Sequence, residues 1–135
     1  MQGKFIYPRK EKLKSRKLIG KVFKEANSFS VFPLKVLYMQ SCLPANIFLQ
    51  TGFTVSSKNF PKAVHRNRIK RLMREAYRLE SYTLKEISEH KQLQIVLFFI
   101  FTGRSLPTQE ILQNAMHTAL KELLKRFHEN TGKNS

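Results

Sequence analysis

The 135-residue sequence contains no aspartate; its nine acidic residues are all glutamates, set against 25 lysines and arginines. None of those glutamates forms the kind of carboxylate cluster that holds paired metal ions in protein nucleases, so phosphoryl chemistry by protein side chains is not expected and no catalytic residue is assigned. Cys42 is the single cysteine. It excludes an intramolecular disulfide and a Cys-rich zinc site, fits a reducing cytoplasm, and reads as a small apolar residue at a strand end. The four histidines, His65, His90, His117 and His128, show no metal-binding spacing, and no serine or cysteine sits in a nucleophile elbow. Long apolar runs are missing too. The longest, Ile95 to Phe101, is far below membrane-spanning length, and the charged N-terminus lacks the apolar stretch of a signal peptide, so a soluble protein is expected.

What the chain has in excess is positive charge: a formal net charge of +16 and a pI near 10.4. Such a surface calls for a polyanion. Nucleic acid rewards dense Lys and Arg by releasing condensed counterions, whereas an anionic membrane face needs an amphipathic helix or a lipid anchor beside the charge. With 41% hydrophobic residues and 11 phenylalanines, the chain has enough apolar material for one domain of ordinary size.

Residues 1–14 form a basic N-terminal arm. From Ser15, a candidate N-cap, Leu18, Ile19, Val22, Phe23 and Ala26 recur at helical spacing. Residues 27–30 break that pattern. Val31 to Met39 is rich in β-branched, aromatic and aliphatic residues and predicts the first strand region, with Pro33 near its start or on an edge. After a turn around Pro44, Ile47 to Ser56 continues as strand in an antiparallel meander, with a bulge indicated at Gly52. Lys62 to Glu80 predicts a helix from Ile69, Leu72, Met73, Ala76 and Leu79. Ser81 to Leu93 is a helix extension or a loop, and Gln94 to Thr102 reads as a central strand covered on both faces. Thr108 can cap a final helix with a wide apolar stripe from Leu112 to Phe127, followed by a flexible tail at 129–135. The fold class is α+β, a single-domain sandwich at 15–128 in the order α-β-β-β-α-β-α.

On the helix from Lys62, about 100° per residue gathers Arg66, Asn67, Lys70, Arg71, Arg74 and Arg78 roughly opposite Ile69, Leu72 and Ala76. Like charges one turn apart repel, and an external anion relieves them. Arginine suits that role because its planar fork grips two phosphate oxygens at once, while Asn67 can donate or accept at a base or sugar. The charge permits a structural RNA-binding protein. It also permits a helix-turn-helix DNA binder, although no short helix precedes this one at the required spacing. A membrane-surface role would compete with the core for the helix's apolar side.

The segments Gly52 to Lys58, GFTVSSK, and Lys62 to Leu79, KAVHRNRIKRLMREAYRL, resemble the signature of the bacterial ribonuclease P protein family. Arg66, Asn67 and Arg68 with Ile69, Lys70, Arg71 and Arg74 are similar to its RNR motif, and Lys21-Val22-Phe23 is similar to its first-helix pattern. The resemblance covers most of residues 12–128. It implies a left-handed βαβ crossover through the RNR helix, an RNA-binding face at Arg66, Asn67, Arg68, Lys70, Arg71, Arg74 and Arg78, and a cleft between the first helix and the sheet for the single-stranded 5′ leader of precursor tRNA. Phe23 carries over as a cleft residue, with Tyr38 and Lys58 as further members. It further implies a subunit of a ribonucleoprotein hydrolase whose catalytic RNA, with Mg²⁺ among its phosphates, cleaves the leader; the protein binds no cofactor itself and has no obligate protein partner. Two departures stand out: Ile19 where the family has an aromatic, and Asn59-Phe60-Pro61 in place of a shorter Lys/Gly-containing connection. Phe60 reads as a core residue beneath the RNR helix.

Overall fold

The structure, a computed structural model, describes the backbone of residues 12–134 and the side chains of residues 12–127. Most of the expected arm, residues 1–11, lies outside the described residues. Ser15 caps the first helix by accepting the Leu18 amide at 3.2 Å, and α1 runs Arg16–Glu25. There follow β1 (Asn27–Val31), β2 (Leu34–Gln40), β3 (Leu49–Val55), α2 (Ala63–Glu80), α3 (Tyr82–Lys91), β4 (Ile95–Phe101) and α4 (Gln109–Asn134).

The order is therefore α-β-β-β-α-α-β-α, with one helix more than expected. Ser81 is both the C-cap of α2 and the N-cap of α3, so the polar stretch after Glu80 becomes a separate helix, closed at Gln92 in a left-handed conformation (φ 58°). Its apolar signal is sparse because only Leu84 and Ser88 are buried. The segment at Val31 to Met39 likewise is not one strand: it holds the end of β1, a turn and most of β2. Phe32 and Pro33 form the turn of a β1–β2 hairpin, and Asn27 to Ser30, expected as a break, belong to β1, which pairs from Asn27↔Tyr38 to Val31↔Leu34. There Phe29 and Val31 alternate with Ser28 and Ser30, a period of two that outweighs the low strand propensity of Asn and Ser.

The four strands stand in the order β1-β2-β4-β3. The expected antiparallel meander is corrected: β2 and β3 are not neighbours, and β3 pairs in parallel with β4 through a connection that contains α2 and α3. β4 is central and buried on both faces, as its continuous apolar run indicated. No bulge occurs at Gly52, whose register opposite Phe98 is regular. Glycine is required there for another reason: a β-carbon would lie closer than 3.0 Å to the Phe98 ring.

The two faces of the sheet carry separate cores. Leu34, Val36, Leu97, Phe99 and Phe101 pack with Ile69, Met73 and Tyr77 of α2 and with Leu112, Met116 and Leu123 of α4. Tyr77 is fully buried against Phe53 and Phe99, and its phenol oxygen accepts a hydrogen bond from Thr51 at 2.9 Å. Phe60 is buried against Phe101 (5.9 Å between ring centres), as expected of a core residue. The opposite face carries a smaller core, in which Val22 of α1 meets Leu13, Leu37, Leu43, Val96 and Phe98. Thr108 caps α4 through the Ile111 amide at 3.2 Å. α4 continues to Asn134, so the stretch 129–134, expected as a tail, is helical; extending an existing helix needs no new nucleus.

Candidate nucleic-acid interface

Two surfaces concentrate the chemistry singled out in the sequence, one on each face of the sheet. The first is the outer side of α2. Burying Ile69, Met73, Ala76 and Tyr77 turns Asn67, Arg71, Arg74 and Arg78 outward, a row about 16 Å long at 1.5 Å per residue. Asn67, Arg68 and Arg71 are exposed, and Lys70 and Arg74 are half-buried along the flank. Arg68 points away from the row, toward the side of Glu75, by its place on the helical wheel.

Two of the arginines are engaged within the protein. Arg66 donates from Nη1 to the carbonyl oxygens of Phe60 at 2.9 Å and Pro61 at 2.7 Å, so it ties down the loop that leads into the helix. Arg78 forms an ion pair with Glu75, and that hydrogen bond raises its already high pKa. Lys70, Arg71 and Arg74, with Asn67, thus form the patch of the motif best placed to reach an external anion, and Arg68 is exposed on its own flank.

The second surface lies beside α1. Phe23 is 53% exposed, yet its ring meets Phe98 edge to face (4.9 Å between centres, planes at 70°). Packing on Phe98 holds the aromatic in place while leaving its outer face open. Strand alternation puts Lys35, Ile100 and Thr54 in one row on this same face, through the pairs Lys35↔Ile100 and Thr54↔Ile100. Lys35 is exposed and the other two are half-buried, so the floor beside Phe23 combines apolar surface with a cation. Lys58 is exposed in the turn that follows β3 at this end of the sheet.

Tyr38 does not belong to this surface. It faces the opposite side with Leu97, is buried, and accepts a hydrogen bond from Arg126 Nη1 at 2.9 Å. Its ring packs on Phe127 and Phe29, and the Arg126 guanidinium lies 4.6 Å from the Phe29 ring centre. The period of two separates it from Lys35 and Leu37 on the same strand. That alternation was the signal that could have excluded Tyr38 and found Lys35. Ile19, in the position of the family's aromatic, is half-buried in the smaller core.

The two surfaces meet at the edge of β3. Leu13 donates its amide to the Thr51 carbonyl at 2.9 Å, laying residues 12–14 parallel to the strand. Lys12 and Lys14 thereby border an open pocket of about 290 Å³ together with Gly52 and Arg74. Cys42 is exposed in the loop after β2 rather than packed at a strand end. No group of three or more His, Cys or Glu that could hold a metal ion occurs among the described residues, and no helix among them is long and apolar enough to cross a membrane.

A small α+β domain with an arginine-rich helix on one face and an open aromatic beside lysine on the other is a nucleic-acid-binding protein in its class. Residues 7–128 match the family model described as Ribonuclease P. The chain is 34% identical over 116 residues to the ribonuclease P protein component of Porphyromonas gingivalis, covering 86% of this chain and 85% of that one. It is 37% identical over 116 residues to that of Chlorobium phaeobacteroides, covering 76% and 77%. The solved ribonuclease P protein of Staphylococcus aureus shares the fold, with a TM-score of 0.64 at 22% identity over 84% of this chain and 94% of that one. The chain belongs to the ribonuclease P protein family, the protein component of a ribonucleoprotein endoribonuclease that acts in 5′ processing of tRNA.

Proposed function

We propose that this subunit divides its work between the two faces of its sheet: α2 binds the catalytic RNA, and the cleft beside α1 receives the 5′ leader of precursor tRNA. The observation that carries this division is the placement of α1 and α2 on opposite sides of one four-stranded sheet, with separate cores. Asn67, Arg68, Lys70, Arg71 and Arg74 meet RNA phosphates, with Arg66 acting chiefly by holding the loop before the helix. Phe23 offers a base-stacking platform above a floor that includes Lys35, and Lys58 borders it; single strands are held in this way, by aromatic stacking over a positive groove. Breaking the bond falls to the RNA, with Mg²⁺ held among RNA phosphates. The protein neutralises and positions, in the cytoplasm, without an obligate protein partner.

The test is reconstitution with a bacterial ribonuclease P RNA at low Mg²⁺, comparing precursor tRNA that carries a long leader with precursor that carries almost none. Protein-dependent enhancement for the long leader is expected. Tight RNA binding without any leader effect contradicts the cleft assignment, and cleavage without added RNA contradicts the assignment of catalysis to RNA.

A further inference from the structure

α1 has two flanks. Around its axis Phe23 and Lys21 lie about 160° apart, with Val22 between them on the buried side. The flank away from Phe23 carries Lys17, Lys21 and Lys24, spaced so that all three share one stripe. Across from that stripe stand Ser41 and Cys42, and the space between is an open groove of about 710 Å³. Glu25 is the one acidic residue on its border.

The far wall of the groove is firmly built. Gln94 accepts the Leu43 amide at 3.1 Å and donates from Nε2 to the carbonyls of Leu43 at 2.9 Å, Pro44 at 3.1 Å and Ile47 at 2.9 Å, while the Ser41 amide donates to the Gln94 carbonyl at 3.1 Å. The loop after β2 is thus pinned to the start of β4.

Gly20 occupies the crest of α1, between the Phe23 flank and the lysine flank. Glycine in the middle of an exposed helix weakens it. Packing does not require glycine here, since a β-carbon at Gly20 would meet nothing within 4 Å. What its absence provides is a low saddle where bare helix backbone joins the two flanks.

Resting on the reading that the Phe23 cleft holds the leader next to the cleavage site, we infer that the more distal leader crosses α1 at Gly20 and lays its phosphates along Lys17, Lys21 and Lys24. The occupant is the same single strand and not the catalytic RNA, because Gly20, which stands between the two flanks, itself lines the groove, and the groove lies on the opposite sheet face from α2. Sequence readout is not required, since lysines act on phosphates as point charges.

The experiment measures precursor affinity of the reconstituted holoenzyme against a series of leaders shortened stepwise. Unaltered protein gives two successive gains in affinity as the leader lengthens, the first from the cleft and the second from the groove. In the variant Lys17→Gln/Lys21→Gln/Lys24→Gln the second gain disappears, about tenfold or more, and the salt slope for long leaders falls by ~2 units at roughly 0.7 per single-strand phosphate contact. Gly20→Gln also diminishes the second gain while leaving thermal stability equal or higher, which separates obstruction of the saddle from damage to the helix. An unaltered length profile in the lysine variant overturns the inference. So does a loss that is equal at every length, or one that appears in affinity for the catalytic RNA alone, which would assign the groove to that RNA. Absence of the first gain in unaltered protein would instead contradict the cleft reading, so the two failures are distinguishable.

Discussion

Arg66 and Arg71 stand about one and a half helical turns apart in the same motif and are held differently. Arg66 holds the carbonyls of Phe60 and Pro61, whereas Arg71 is exposed. Arg66→Ala is expected to lower stability by about 1 kcal/mol in urea denaturation, as well as weakening RNA binding. Arg71→Ala is expected to change stability by less than ~0.5 kcal/mol while still weakening binding. Equal stability of the two variants would refute the loop-tying role. Gly52 gives a second test at this scale. Gly52→Ala drives a methyl into the Phe98 ring on which Phe23 rests, and the expected cost is about 1 to 3 kcal/mol with a weaker leader effect. Neither role was legible in the sequence: an arginine donating to a loop looks the same as one facing solvent, and Gly52 reads equally well as a bulge or as a close approach.

The long elements were legible because their patterns are strong. Ser15 and Thr108 cap where their positions indicate, and the buried set of α2 contains Ile69, Met73 and Ala76 at helical spacing. Elements with mixed signals differ from their sequence pattern. The apolar pattern of Val31 to Met39 runs through Phe32-Pro33, which is the turn between two strands, and chain order makes β2 the neighbour of β3 although β4 arrives later and inserts between them. Sequence neighbours say little about which strands pair across a crossover. Ser81 joins α2 to α3 with its hydroxyl buried and without a hydrogen-bond partner among the described residues. Ser81→Ala removes that unsatisfied group, and a rise in stability of up to ~1 kcal/mol is expected from thermal unfolding; a fall would show that the hydroxyl contributes a bond at this joint.

At the scale of the molecule, the basic outer side of α2 and the surface beside α1 lie on faces that one sheet keeps apart. The basic character of the surface and the family could be read from composition and from the RNR segment. The distribution of side chains between the two sheet faces could not, because the side on which Phe23, Tyr38 and Lys35 fall depends on strand register. For that reason Tyr38 lies on the face opposite the expected cleft, and Lys35 lies on the face of Phe23. The central claim, that α2 grips the catalytic RNA through phosphate contacts, is tested most directly by the salt dependence of binding between that RNA and the variant Arg68→Ala/Arg71→Ala/Arg74→Ala. The slope of log affinity against log salt is expected to flatten by roughly one unit for each contact removed, while the folded variant keeps its leader effect once bound. An unchanged slope in a folded variant would contradict the account.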